Sequence, residues 1–360
     1  MEDKLLEFIT KLLEENYELG NNVKVEPIKA GDTNNSFFAY ADKDGKNVKW
    51  YVRQYNPAEQ EQDIIFEHAL EKYYDKNVNG EIQTMLPKET KDGKTWVVAK
   101  FNSQDNFYAV FNVISGLEPY SWEYNDMDDK AMDSCAAIVA RFQSWCYGFV
   151  GPEGSGRSEA PLAEQFANWR VDLPNAIEEK KKNKVFKRYS DYLETQADLL
   201  MDHTDFCEKQ LKKYESKLKK CINHKDLNPG NVMFDENDNV IAVFDLDWAN
   251  MDYRVYDLAW MAYQAIASWN PKKWGDVPFD KLQRFVDVYN AEMIKRNCPL
   301  GPLTKDEEEF LPAMMMIGAM KVIMDFACYE EHAHDVHRVL VNTSRFIESV
   351  NIMRRHIEEN

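Results

Sequence analysis

The pattern of apolar and polar positions changes its period along the chain. In the first third, short runs rich in aromatic and β-branched residues predict strands: Trp50-Tyr51-Val52-Arg53-Gln54-Tyr55, 95–100 and 108–111. Two further strand-like pieces, 25–28 and 37–40, flank the polar stretch Ala30-Gly31-Asp32-Thr33-Asn34-Asn35-Ser36, and 42–45 has the composition of a turn. Between these strands, 63–74 spaces its apolar residues for one helical face, with Asp63 near the start. Beyond about residue 112 the helical period dominates. The segment 129–145 is amphipathic, 175–220 is helical and highly charged, 256–263 opens a buried helix, and the Met-rich 310–321 reads as core. One strand pattern interrupts this region: Val232-Met233-Phe234 and 240–244 surround the turn Asp235-Glu236-Asn237-Asp238-Asn239, predicting a hairpin.

That hairpin is bracketed by chemistry. Immediately before it runs His224-Lys225-Asp226-Leu227-Asn228-Pro229-Gly230-Asn231, and fourteen residues after Asn231 stands Asp245, in Phe244-Asp245-Leu246-Asp247. Phosphoryl transfer needs a carboxylate beside the attacking hydroxyl, with an amide oxygen and a second carboxylate to hold Mg²⁺ against nucleotide phosphates. Asp226, Asn231 and Asp245 supply that set in order, and hard oxygens at one end of a hairpin suit an octahedral ion that keeps water and phosphate ligands.

The block from Ile222 to Trp260 resembles the aminoglycoside phosphotransferase and choline kinase superfamily, small-molecule relatives of protein kinases, and lies nearest to its homoserine kinase and N-acetylhexosamine kinase branches. The resemblance implies an α+β, bilobal protein-kinase-like fold. Its parts would be an N-terminal nucleotide-binding lobe over 1–111, a connector at 112–118, and a mainly helical catalytic lobe over 119–360. It implies ATP and Mg²⁺ as cofactors, with Asp226 as the catalytic carboxylate and Asn231 and Asp245 on the metal. The turn carrying Gly31 and Asn35 would cover the phosphates, Arg53 would grip them, and Glu67 on the first-lobe helix would orient Arg53. Asp257 would brace the catalytic loop, while Asp247 and Trp248 would lie near the metal or the acceptor. His68 is assigned only packing or a surface place, and 148–161, rich in Gly, Ser and Pro, a loop able to act as a lid.

The chain departs from the family pattern at Lys225, between the His and the Asp, and in having Asp245-Leu246-Asp247 where protein kinases have Asp-Phe-Gly. The acceptor stays open: a sugar or amino sugar, an amino alcohol such as homoserine or choline, or an aminoglycoside or fructosamine-type substrate. A non-catalytic nucleotide-binding scaffold is the alternative outside enzymes. Tyr120, Trp122, Tyr124 and Trp248 are candidates to stack on a sugar or hold a cation.

Composition narrows the partners. Lys and Arg number 44 against 62 Asp and Glu, a formal charge of −18 over 360 residues, which disfavours nucleic acid and mildly suits a cationic acceptor. The opening Met1-Glu2-Asp3-Lys4 predicts an amphipathic helix and no secretory leader, and no apolar run of membrane-spanning length is expected. The six cysteines lack metal or disulfide spacing, which predicts free thiols. His332, His334 and His337 have no cysteine nearby, and helical spacing places only the last two on one face, so a zinc site is not expected. These features predict a cytoplasmic enzyme, monomeric or homodimeric, without nucleic-acid or membrane partners.

Overall fold

The computed structural model describes residues 2–28, 34–121, 125–157, 159–268, 275–329 and 336–360. In chain order the elements are α1 (Glu2–Asn16), β1 (Asn21–Ile28), β2 (Asn35–Lys43), β3 (Lys46–Gln54), α2 (Glu61–Val78), β4 (Gln83–Thr84), β5 (Val97–Phe101), β6 (Gln104–Asn112) and α3 (Asp129–Trp145). There follow α4 (Leu162–Lys181), α5 (Lys187–Tyr214), β7 (Lys220–Asn223), β8 (Val232–Phe234), β9 (Val240–Val243), β10 (Asn250–Tyr253), α6 (Val255–Ile266), α7 (Phe279–Lys295), α8 (Lys305–Met324) and α9 (Val336–Glu359). The expected α+β class is the one observed.

Two compact units divide the chain. The first gathers Met1–Leu117, Gly148–Arg157 and Ile241–Trp248; the second holds Glu118–Tyr147, Ser158–Val240 and Ala249–Asn360. Two later segments, 148–157 and 241–248, thus belong to the first unit.

The first unit is built on an antiparallel sheet in the order β1-β2-β3-β6-β5. Alternation along its strands buries Val23 and Val25, Phe37, Ala39 and Ala41, with Val52 and Val110, on one face. Ile9, Leu12 and Leu13 of α1 sit on that face at helical spacing and close the core with Tyr17 and Tyr108. The β2–β3 turn is made by Asp44 and Gly45, both at positive φ, with Lys43 opposite Lys46. This two-residue form is favoured because its twist matches that of the flanking strands. Ala242 and Val243 of β9 add to the unit as parallel partners of Gln83 and Thr84 in β4, in that order, a pairing too short to be foreseen from either segment.

The second unit is mainly helical. Lys220, the last residue of the stretch 175–220 expected to be helical, instead opens β7, which runs antiparallel to β10 with Asn223 opposite Asn250. A strand this short takes its state from its partner, so local propensity carries little information there. Buried Arg254, just ahead of α6, pairs with Glu307 of α8 and donates to the carbonyls of Leu300, Gly301 and Pro302. Its own carbonyl accepts from Gln143 of α3 at 2.7 Å. These bonds set where α6 begins.

The Met-rich stretch is core as expected: Met314, Met315, Met316, Met320 and Met324 are all buried. The expectation of no membrane-length apolar run needs correction, since Lys305–Cys328 is long and apolar enough to cross a membrane. Most of it is buried inside the protein, and a helix apolar on all sides is what a central core position demands. All six cysteines are free thiols. Among the described residues no group of three or more His, Cys, Asp or Glu side chains is arranged to hold a metal; His332 and His334 lie outside them.

Candidate active site

The first unit gathers four of the expected residues around one buried guanidinium. Arg53, near the end of β3, is 2% exposed. Its Nη1 donates to Glu67 Oε1 at 2.7 Å and its Nη2 to Asp245 Oδ1 at 2.5 Å. Burial opposes the charge, but Asp245 and Glu67 outweigh it and hold Arg53 firmly protonated. Glu67 is on α2, whose start is set by a capping box between Gln60 and Asp63. The other Glu67 oxygen accepts from the Tyr55 hydroxyl at 2.9 Å.

Behind that pair lies a polar chain that sequence reasoning missed. The Tyr55 hydroxyl is 3.0 Å from His68 Nε2, and His68 Nδ1 is 2.7 Å from the Thr95 hydroxyl. Burial, with help from Arg53, pushes the His68 pKa down to about 3, so its ring is neutral. Tyr55 donates to Glu67, so its oxygen accepts from Nε2–H, which leaves Nδ1 to accept from Thr95. His68, one residue past Glu67 and assigned only packing or a surface place, is a buried member of this network. Nothing in its local sequence signals a partner 27 residues away.

Asp245 follows β9 at φ 71°, a left-handed conformation that disfavours any residue with a Cβ. Its carboxylate is partly exposed, with one oxygen on Arg53 and no protein partner for Oδ2 among the described residues. Asp247, two residues on, is 7% exposed. Its Oδ2 accepts from Asn34 Nδ2 at 2.9 Å, while Oδ1 is buried with no partner among the described residues. Burial, then the neighbouring Asp245 charge, raises the Asp247 pKa well above the usual carboxylate range.

The loop expected over the phosphates is only partly described, and Gly31 lies outside the described residues. Asn35 starts β2 and donates to Gln54 Oε1 at 3.3 Å. Its neighbour Asn34, given no role by sequence reasoning, is the one that reaches the turn after β9. Trp248, a candidate to stack on a ligand, instead lies under the protein's own Arg157 guanidinium at 3.8 Å. Of the other aromatic candidates, Tyr120 packs edge-on against Phe234, and Trp122 and Tyr124 lie outside the described residues.

The second unit holds the remaining residues singled out from the sequence. After β7, the backbone amides of His224 and Lys225 both donate to Asp257, at 2.6 and 2.9 Å. Two such bonds on one buried carboxylate, from the first turn of α6, make it a brace for the loop, the place expected for Asp257. Burial nevertheless pushes its pKa up to about 6. Lys225 adopts φ 70° and buries its ammonium against Asp252 at 2.5 Å and over the Tyr256 ring at 3.9 Å.

Asp226 follows, partly exposed, and both its carboxylate oxygens are held. Asn228 Nδ2 donates to Oδ1 at 3.0 Å and Asn231 Nδ2 to Oδ2 at 2.9 Å. Asn231 also donates to the Asp226 carbonyl, at 2.8 Å, and Asn228 Oδ1 accepts from the Gly230 amide. With its amide nitrogen turned to Asp226, Asn231 keeps its side-chain oxygen free of hydrogen bonds among the described residues. Asn228 was in plain sight within the motif but had been assigned nothing.

These donors fit a hard cation. In the first unit, Asp245 Oδ2 and Asp247 Oδ1 are oxygen donors with no protein partner among the described residues, a type that suits Mg²⁺, which takes only one or two protein oxygens when phosphates and water complete its shell; in the second unit the Asn231 amide oxygen is a donor of the same type.

A family model described as the phosphotransferase enzyme family, APH, matches residues 24–285. No curated protein sequence matches the chain. Among solved structures, a microcompartment-associated aminopropanol kinase aligns with 98% of both chains at 15% identity and a TM-score of 0.69. An amicoumacin kinase in complex with AMP-PNP and Ca²⁺ aligns over 95% of this chain and 92% of its own, at 12% identity and a TM-score of 0.65. The ethanolamine kinase of Plasmodium vivax covers 92% and 84%, at 15% identity and a TM-score of 0.56. Identities this low carry the fold alone, which is that of protein-kinase-like enzymes, while the family match spans well over half of the sequence. The chain belongs to the phosphotransferase enzyme family and is a small-molecule kinase with an alcohol group as acceptor.

Proposed function

We propose that this enzyme transfers the γ-phosphate of ATP to a hydroxyl of a small metabolite, with Asp226 aligning the hydroxyl and accepting its proton. The observation that supports this reading most is the restraint on Asp226: both oxygens are held by Asn228 and Asn231 in a loop whose amides are bound by Asp257. A carboxylate fixed this way loses little entropy when an acceptor hydroxyl arrives, which is how positioning contributes rate. Arg53, oriented by Glu67, would bind the nucleotide phosphates. Asn231 and Asp245 would hold Mg²⁺, which supplies charge neutralisation on the transferring phosphoryl group. Gly31 and Asn35 are proposed for the phosphate-covering turn.

The acceptor class we favour is an amino alcohol. The aminopropanol and ethanolamine kinases among the structural neighbours and the excess of acidic over basic residues support it. ATP consumption across a panel of amino alcohols, sugars, amino sugars and hydroxy amino acids tests both points. Turnover with an amino alcohol, lost in Asp226→Asn, is the expected result. A panel silent throughout would refute the catalytic proposal, and turnover with sugars alone would refute the acceptor class.

A further inference from the structure

The turn that carries Asp245 is held from outside by a residue with no assigned role. Arg157, at the end of the 148–157 segment, makes a two-pronged ion pair with Glu59: Nη1 to Oε2 at 3.0 Å and Nη2 to Oε1 at 2.9 Å. Nη1 also donates to the Asp247 carbonyl at 2.5 Å, and the guanidinium carbon sits over the Trp248 ring, 3.8 Å from its centroid. Arg157 and Glu59 are about nine-tenths buried, at 10% and 8% exposure.

These bonds close a ring. Asn34 holds the Asp247 carboxylate and accepts from the Asn56 amide at 2.9 Å; the Asn56 carbonyl accepts from the Glu59 amide at 2.9 Å; Glu59 holds Arg157; and Arg157 returns to Asp247. The segment bearing Arg157 is itself anchored. Phe149 packs edge-on against Phe66, a Cβ on Gly151 would fall 2.7 Å from the Phe66 ring, and the Gly156 amide donates to the Gln62 carbonyl. A stretch whose composition suggested a lid is thus tied to α2.

We infer that Arg157 is a positioning residue for the metal-binding carboxylate: its grip on the Asp247 carbonyl and Trp248 ring holds the turn that keeps Asp245 in its left-handed conformation, aiming Oδ2 outward. Left-handed backbone at a residue with a Cβ persists only where surroundings over-determine it, and this ring supplies that constraint. A planar guanidinium can serve two carboxylate oxygens, a carbonyl and an aromatic face at once; an ammonium cannot. The inference rests on the reading that Asp245 holds Mg²⁺.

The test is calorimetric titration of ATP into the full chain at graded Mg²⁺ without acceptor, for wild type, Arg157→Ala, Arg157→Lys, Glu59→Gln and Asp245→Ala. Loss of a residue that orients a metal ligand typically weakens metal affinity by about 10–100-fold. The Mg²⁺ midpoint should therefore rise by that order in Arg157→Ala, less in Glu59→Gln, and be poorly restored by Arg157→Lys, while ATP binding without Mg²⁺ stays at the wild-type level. If Arg157→Ala does not fold, Glu59→Gln and Arg157→Lys report the same shift. An unchanged midpoint in these variants, with Asp245→Ala shifted, overturns the inference alone. A midpoint unmoved in Asp245→Ala overturns the inference together with the metal assignment. Equal losses with and without Mg²⁺ also overturn it, because they mark a role in the fold only.

Discussion

The candidate residues of the two units are held in place by different means. Around Asp226 the restraints are local: Asn228 and Asn231 lie two and five residues away, and Asp257 contributes from a distance, 33 residues from His224. Around Asp245 nearly everything is distant, with Arg53 192 residues away, Asn34 213 from Asp247, and Arg157 90. The loop of the second unit is stiff through its own turn, whereas the turn of the first is stiff only because separate segments meet on it. The first kind survives as a sequence motif; the second depends on the fold around it.

The largest expected effect tests the local half. Asp226→Asn should lower turnover by about 10²–10⁴-fold, the usual loss when a positioned proton acceptor is removed, with ATP binding retained. Steady-state rates alongside nucleotide titration separate the two. Asn228→Ala keeps the carboxylate and removes one restraint, so about a tenfold fall in kcat with little change in nucleotide affinity is expected, the size of one hydrogen bond to a charged group. A kcat at the wild-type level would show that the loop needs no second anchor.

The distant half responds differently. Asn34→Ala should weaken Mg²⁺-dependent nucleotide binding by several-fold to about tenfold while leaving kcat at saturating Mg–ATP near wild type. A selective kcat loss would erase the contrast between the halves. Asn228→Ala combined with Asn34→Ala sharpens it, since their effects should multiply if the two restraints are independent.

The smallest expected effect concerns stability. Glu71, one turn beyond Glu67, is 1% exposed, and neither carboxylate oxygen has a partner among the described residues. Burial, then the Glu67 charge, raises its pKa well above 4.5. A carboxyl with a raised folded-state pKa keeps its proton on folding, so its contribution is full below the unfolded value of 4.5 and is lost as pH rises above it. The slope from one group is at most ~1.4 kcal/mol per pH unit. Glu71→Gln should flatten that part of the stability–pH curve in denaturant titrations between acid and neutral pH. An identical curve would mean Glu71 ionises in the fold without penalty.

The contrast also explains what was legible. Asp226, Asn231, Asp245 and Asp257 share one 32-residue stretch of local order, so type and spacing were enough to propose roles for them. Arg53 and Glu67 lie on a strand and a helix predicted separately, their pairing is what the family resemblance implies, and the structure shows it at 2.7 Å. Asn34, Arg157 and Glu59 left no trace, because a polar residue in a loop looks the same whether it faces water or closes a ring. The hydrogen bonds of His68 and the Arg157 contact of Trp248 left no trace for a related reason: their partners come from elsewhere in the chain.

Periodicity, turn chemistry and one compact motif thus determined the α+β class and the phosphotransferase chemistry and nominated the oxygens proposed to react, since each is encoded within a few turns or strands of backbone. Only the tertiary structure decided which residues restrain those oxygens, that 148–157 and 241–248 join the first unit, and that β7 pairs with β10. Burial and long-range hydrogen bonds set these outcomes, and both depend on segments that local sequence does not bring together.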